Sequence, residues 1–151
     1  MDRLYLPEIS TLAGQKRFFV TEDMVLEADG MKLTLFAPEI GGNGNESSIA
    51  VLFQTGKCDT LITGDMSGFW ERMLLRRAEL PDLEMLVVGH HGSKGSTCQE
   101  LLDAAAPDTA IISVGKDKRY NHPHQEVLDR LAAAGCEIYR TDQSGDIVYR
   151  R

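Results

Sequence analysis

The order of patterns along this chain predicts an α/β layered fold. Two hairpin signals, Asp29-Gly30 and Thr55-Gly56-Lys57, come first, and each separates two strand-like runs. Two continuous apolar runs, Met85–Val88 and Thr109–Val114, follow, with helical patterns before, between and after them. Hairpins followed by alternating strands and helices favour one mixed β-sheet with helices on one face over an all-β sandwich.

Length and composition favour a single domain over residues 1–151. A chain of 151 residues with 42% hydrophobic content can bury a sizeable core. Its net charge of −7 argues against a broad basic surface for nucleic acid, although a metal site acting on one phosphodiester remains compatible with it. The three cysteines form no CxxC pair, and no apolar run approaches the roughly 20 residues that cross a bilayer. We therefore expect no membrane contact by this segment.

The first hairpin is predicted from short strand-like runs. Arg17–Val20 and Met24–Glu27 have the composition of strands, and Asp29-Gly30 joins Val25–Ala28 to Lys32–Phe36. The glycine-rich residues that follow, 41–45, are predicted to form a loop.

The second hairpin pairs Ser48–Gln54 with Thr60–Thr63. Both faces of the first of these strands are mostly apolar, so we expect it to be covered on both sides. A helix should begin after the cap Ser67 and run to about Glu79. Its predicted apolar stripe consists of Phe69, Met73, Leu74 and Leu80.

Two further helices and two strands are predicted in the remainder of the chain. Thr97 or Ser96 should cap a helix that runs through Ala105 and ends before Pro107. The last predicted elements are the helix Gln125–Ala134 and the strands Glu137–Arg140 and Ile147–Arg150.

The candidate functional residues follow predicted strands. Asp65 comes directly after Thr60–Thr63, where its carboxylate is suited to binding a metal, although an aspartate there is also a good helix cap. His90 and His91 follow Met85–Val88 and should point to opposite sides of an extended backbone. One histidine of this pair is then suited to binding a metal and the other to contacting substrate, and Ser93 can donate a hydrogen bond to an anion.

A third candidate is the sequence Asn121-His122-Pro123-His124. We favour His122 over His124 as a proton donor or phosphate contact, because it lies just before a predicted helix N-terminus. Asn45, Ser47 and Ser48 either support the site, contact substrate or cap a turn. A Ser93–His91 nucleophile is disfavoured, because the chain has no GxSxG motif.

In combination, these motifs resemble the metallo-β-lactamase domain of ComEC-type competence proteins and related soluble hydrolases. The resemblance covers roughly residues 33–151. Its motifs, in chain order, are NESSI at Asn45, LITGD at Asp65, VVGHHGS at His90, IISVG at Ser113, NHPH at His122 and TDxxG at Thr141.

The resemblance implies half of an αββα sandwich in a fold that usually binds two metal ions, commonly zinc or manganese. It assigns metal binding to Asp65, as a bridging ligand, and to the histidine pair, where we favour His91. The implied catalytic residues are His90 and His122, and Ser93 and Asn45 are expected to contact substrate. Asn121 departs from the glycine that often precedes the HP motif in this family.

A larger departure is the absence of the HxHxDH motif, since the four histidines of this chain are His90, His91, His122 and His124. The chain is therefore expected to be the C-terminal half of such a domain, with weak metal binding and little or no activity alone. Its expected partners are the missing N-terminal half or a second copy in a homodimer, together with DNA or another phosphodiester. A bacterial location, either cytoplasmic or attached to a membrane-embedded parent protein, is implied.

Two functions follow as hypotheses. The first is part of a metal-dependent phosphodiesterase or nuclease associated with competence and DNA uptake. The second is a non-catalytic module that keeps the fold for interaction or assembly. An upstream HxHxDH in the same reading frame would favour the first.

Overall fold

A seven-stranded mixed sheet forms the centre of the protein. The computed structural model describes residues 20–38, 48–116 and 120–150. The strands lie in the sheet in their order along the chain. They are β1 (Met24–Ala28), β2 (Met31–Phe36), β3 (Ala50–Gln54), β4 (Asp59–Ile62), β5 (Met85–Val87), β6 (Thr109–Ile112) and β7 (Glu137–Arg140).

The sheet changes from antiparallel to parallel at β4. The pairs from β1 to β4 are antiparallel, and tight turns connect β1 to β2 and β3 to β4. The pairs from β4 to β7 are parallel, because a helix crosses over between successive strands. The carboxyl ends of β4 to β7 therefore meet at one edge of the sheet, and that edge carries the candidate residues.

The three crossover helices pack on one face of the sheet, as predicted. They are α1 (Gly68–Arg77), α2 (Gln99–Ala105) and α3 (Gln125–Ala133). Leu74, Leu101 and Leu131 of these helices share one core cluster with Leu61 and Leu86 of the sheet, and all five are fully buried. Burying such side chains contributes about 1.5–3 kcal/mol each and holds the parallel edge in place.

The opposite face of the sheet, which we call the far face, is only partly covered. Leu52 on the helix face is buried, but Val51 and Phe53 on the far face are half-buried. Ile62 and Tyr139, which lie on the same far face through the pairing register, are each 38% exposed. The expectation that β3 is covered on both sides is therefore wrong.

Several predicted details of the helices and strands are also wrong. Phe69 is exposed, and a charged residue, Glu71, occupies the buried side of α1 in its place. Cys98, and not Thr97 or Ser96, stands at the N-cap position of α2. The segment Ile147–Arg150 forms no strand. Of the proposed strand at 17–20 only Val20 is described, and it is not in a strand.

Glu71 replaces the missing cap of α2 from a distance. Its two carboxylate oxygens accept hydrogen bonds of 2.7 Å each from the backbone N–H groups of Thr97 and Cys98. Arg130 of α3 donates to the carbonyls of Ser96 and Thr97. A buried carboxylate thus satisfies backbone donors at the start of α2 and ties α1 to that helix.

None of the helices in the described parts of the chain combines the length and the apolar character that spanning a membrane requires.

Candidate metal-binding site

The site lies where the parallel strands end. Asp65 follows β4, His90 and His91 follow β5, and Ser113 follows β6. Because these strands run side by side in the same direction, their C-terminal loops converge at one edge. The result is a 3.9 Å separation between Asp65 Oδ1 and His91 Nε2, with both side chains partly open to solvent at 40% and 54% exposure.

The ring of His91 is oriented by the neighbouring strand. Its Nδ1 lies 2.7 Å from the carbonyl oxygen of Ser113. A carbonyl only accepts, so Nδ1 must carry the proton and donate it. In a neutral ring this leaves the lone pair on Nε2, which is the nitrogen that faces Asp65.

The two histidines lie in a tight turn over Gly89–Gly92, which we call the histidine turn. The φ angles of His90 and His91 are 48° and 54°, so both are left-handed and the expected extended backbone is wrong. Hydrogen bonds hold this turn: His90 N–H donates to Gly64 O, and Ser93 N–H donates to His90 O, each at 2.9 Å. The turn is therefore tied to the loop that carries Asp65.

The loop before α3 packs against the histidine turn. His124 N–H donates to Gly92 O at 2.9 Å, and the ring centroid of His122 lies 5.8 Å from that of His90 and 5.0 Å from that of His124. Desolvation lowers the pKa of His122 from its ordinary 6.5, and the neighbouring imidazoles lower it further. His122 is thus neutral at pH 7 and able to accept a proton or a hydrogen bond.

Supporting residues hold these loops in place. Asp65 N–H donates to Ser48 Oγ at 3.1 Å, which makes Ser48 a support of the site, as one reading of the sequence proposed. Thr141 Oγ1 accepts from Val114 N–H and donates to Val114 O, each at 2.8 Å, and so secures the chain just after Ser113. Sequence reasoning missed Thr141, although it belongs to the TDxxG motif.

The remaining candidates are placed as follows. Ser93 is half-buried at the end of the histidine turn, and its carbonyl accepts a hydrogen bond from Ser96 Oγ. Asn45 and Ser47 lie outside the described residues.

Ser67 stands at the N-cap of α1 but makes no side-chain cap hydrogen bond, and Asp65 lies outside that helix. The alternative role of Asp65 as the cap of α1 is therefore wrong.

The pair Asp65 and His91 fits two ligands of one metal ion. Zinc binds histidine nitrogen and carboxylate oxygen at about 2.0–2.2 Å, so two ligands of one ion lie at most about 4.3 Å apart. The observed 3.9 Å satisfies this limit, and the hydrogen bond to Ser113 O presents the correct nitrogen. Within residues 20–38, 48–116 and 120–150, no group of three or more His, Cys, Asp or Glu is arranged to hold a metal. The fit is therefore to part of a ligand set.

Comparison with protein families gives a match over most of the chain. The model of the metallo-beta-lactamase superfamily matches residues 3–116. This match begins earlier than the resemblance seen in the motifs, and it includes Asp65 and the histidine turn.

Three curated relatives are similar to most of this chain. "ComE operon protein 3" of Bacillus subtilis is 39% identical over 83% of this chain, and "Recombination protein 2" of Haemophilus influenzae is 32% identical over 95%. "Competence protein ComA" of Neisseria gonorrhoeae is 30% identical over 95%. The aligned regions are 16%, 18% and 22% of these three proteins, so the chain spans less than a quarter of each.

Proposed function

Because the chain belongs to the metallo-beta-lactamase superfamily, we propose that it is part of a metal-dependent hydrolase that cleaves phosphodiester bonds of DNA. Two of its relatives carry names that refer to competence or recombination, and this supports a role in DNA uptake. The observation that carries the proposal is the orientation of His91. Its Nδ1–H is committed to Ser113 O, and its Nε2 faces Asp65.

In such a site, different residues would bind the metal, accept a proton or hydrogen bond, and contact the substrate. Asp65 and His91 would hold a zinc or manganese ion. When bound there, the ion would supply a Lewis acid for a phosphoryl oxygen and would lower the pKa of water at neutral pH. His122, neutral at pH 7, would accept a proton or hydrogen bond beside His90. Ser93 and Asn45 remain the proposed substrate contacts.

The site needs ligands from elsewhere. A catalytic zinc site uses about three protein ligands and one open position, and Asp65 with His91 supplies two. The remaining ligands would come from another segment of a longer protein or from a second copy. We therefore expect this chain alone to bind metal weakly and to hydrolyse phosphodiesters slowly or not at all.

Titration of the chain with zinc and manganese by calorimetry tests this proposal. We expect weak binding that Asp65→Ala and His91→Ala each reduce by at least about tenfold, because each removes one of two ligands. Asp103→Ala, which removes an exposed carboxylate on α2, is the matched control and should change nothing. Equal binding by the Asp65→Ala and Asp103→Ala variants would refute the metal site. Tight stoichiometric binding with turnover of a phosphodiester would refute the incomplete ligand set.

A second candidate function, assembly with another copy or another half, is favoured by the far face of the sheet. Leu33, Leu35, Val51 and Phe53 form a continuous half-buried apolar surface there, and it continues through the more exposed Ile62 toward β5. Contiguous apolar surface of this kind is typical of an interface. A symmetric dimer through this face would cover it.

Ile62→Asp is expected to weaken self-association. The charge would lie in the middle of the apolar far face, where pairing two such faces would bury it without a partner. Sedimentation at increasing protein concentration should show a smaller dimer fraction than in the parent chain. Val148→Asp alters a side chain that is 71% exposed beyond β7, and it should leave the dimer fraction unchanged. If the parent chain stays monomeric at high concentration, the proposal of assembly with a second copy fails.

A further inference from the structure

A groove lies where α1 and α2 begin, and hydrogen bonds join it to the loops of the candidate metal site. This groove has a volume of about 350 Å³ and lies between the first turn of α1, residues 94–96 and the start of α2. The side chains that determine its chemistry are Phe69, Arg72, Lys94, Glu100 and Arg130.

The groove concentrates positive charge on an otherwise acidic chain. Three of its side chains, Arg72, Lys94 and Arg130, are cationic, whereas the whole chain carries −7. Glu100 lies in the groove and the buried Glu71 lies beside Arg130, so Lys94 and Arg72 are the cations available to a ligand. Lys94 is exposed, and its ammonium group makes no hydrogen bond or ion pair with any described residue, which leaves it open to an anion. The Arg72–Glu100 pair is long, at 3.4 Å, and about half-exposed, so it can exchange for a phosphate at little cost.

Phe69 adds an aromatic surface to the groove. Its side chain is 57% exposed, although a phenylalanine in a helix usually faces the core. Its ring packs edge-on against Trp70, with centroids 5.0 Å apart and planes at 83°, which supports it from one side. A supported and exposed ring beside cations is the combination by which proteins bind single-stranded nucleic acid, with bases stacked on the ring and phosphates on the cations.

The groove and the metal site share one loop. Ser96 Oγ donates to Gly89 O at 2.8 Å, and Gly68 N–H donates to Gly95 O at 2.7 Å. The bond from Ser96 joins the groove to the histidine turn. The bond from Gly68 joins the groove to α1, which begins three residues after Asp65. The same loop, residues 94–96, therefore holds the groove and the candidate metal site together.

We propose that this groove binds a single-stranded nucleic-acid segment, with phosphates at Lys94 and Arg72 and an unpaired base on Phe69. The inference rests on the proposed function, because it names the form of substrate that the phosphodiester site receives. Arg130, which holds the carbonyls of Ser96 and Thr97, fixes the floor of the groove. Glu100 competes with phosphate for Arg72 and so limits affinity.

Fluorescence anisotropy on the chain, at low ionic strength and with a chelator present, tests the groove without any dependence on hydrolysis. The probes are a thymidine oligomer of about 16 nucleotides, an abasic oligomer of equal length and a duplex of equal length. We expect Lys94→Gln to weaken binding of the thymidine oligomer several-fold and Glu100→Gln to strengthen it, because the second change frees Arg72. Phe69→Ala should weaken binding of the thymidine oligomer about tenfold and leave the abasic oligomer unaffected.

The control is Lys57→Gln, which removes an exposed positive charge from the β3–β4 turn at the opposite end of β4. If Lys94→Gln lowers the affinity for the thymidine oligomer no more than Lys57→Gln does, the proposal that the groove binds nucleic acid is wrong. The stacking role of Phe69 would be wrong if the duplex bound as tightly as the single strand. It would also be wrong if Phe69→Ala lowered the affinity for the thymidine oligomer and for the abasic oligomer equally. Oligomer binding that Lys94→Gln weakens, in a chain whose metal binding Asp65→Ala leaves unchanged, would count against the proposed function alone. Metal binding that Asp65→Ala weakens, together with oligomer binding that Lys94→Gln leaves unchanged, would count against the groove alone.

Discussion

Replacing Glu71 with alanine is expected to lower the free energy of unfolding by about 3–5 kcal/mol. The substitution leaves the N–H groups of Thr97 and Cys98 without acceptors inside the protein, and it removes the negative charge beside Arg130. A domain of this size is commonly stable by only about 5–15 kcal/mol, so a large share of the stability is lost. Urea unfolding followed by circular dichroism measures the change.

The control for this prediction is Glu79→Ala, because Glu79 is exposed just beyond α1. It should change the free energy of unfolding by less than about 0.5 kcal/mol. Equal stability of the two variants would show that Glu71 does not hold the start of α2.

Glu71 also predicts a pH dependence of stability. Burial raises the pKa of its carboxyl above the ordinary 4.5, although the two backbone hydrogen bonds oppose this shift. The folded state then binds a proton more tightly than the unfolded state, so this group's contribution to stability falls as pH rises above 4.5. Glu71→Gln cannot titrate, and the stability of the parent chain relative to this variant should therefore increase from about pH 7 to about pH 5. A difference that is constant with pH would contradict the raised pKa.

Replacing Gly92 with alanine is expected to separate the two histidine loops. A Cβ atom at this position would lie 2.5 Å from Pro123 Cβ and 3.1 Å from Pro123 Cα, and one of the loops must move to relieve the contact. Gly92 also has a φ of +79°, which adds about 1–2 kcal/mol of strain for alanine. We expect a total loss of about 3 kcal/mol in stability. Changes in the imidazole NMR signals of His90 and His122 should accompany it.

Gly135→Ala separates the effect of backbone strain from the effect of the contact with Pro123. Gly135 ends α3 with a similar φ of +83°, but a Cβ there would have no heavy atom within 4 Å. This variant should therefore show the backbone strain alone, with unchanged imidazole signals. If the two glycine variants lose equal stability and leave the histidine signals alike, then the histidine turn is not held against Pro123.

The sequence by itself determined most of the sheet, and it determined that Asp65 and the histidine pair lie close together. Turn residues marked both hairpins, and continuous apolar runs marked the parallel strands, because these patterns depend on residues close together in the chain. The position of Asp65 and the histidine pair after two such strands was enough to place them at one edge. Two predictions from local pattern were wrong: Phe69 was expected to face the core and is exposed, and Ile147–Arg150 was expected to be a strand and is not. Local pattern is insufficient there because burial depends on what packs against each side chain.

Only the tertiary structure decided how the site residues are held. The acceptor for His91 is a backbone carbonyl 22 positions away, and Glu71 accepts hydrogen bonds from residues 26 and 27 positions away. No local pattern identifies a carbonyl partner, because every residue carries one. The left-handed turn of His90 and His91 likewise exists because hydrogen bonds to Gly64 O and within the turn offset a conformation that histidine alone seldom adopts.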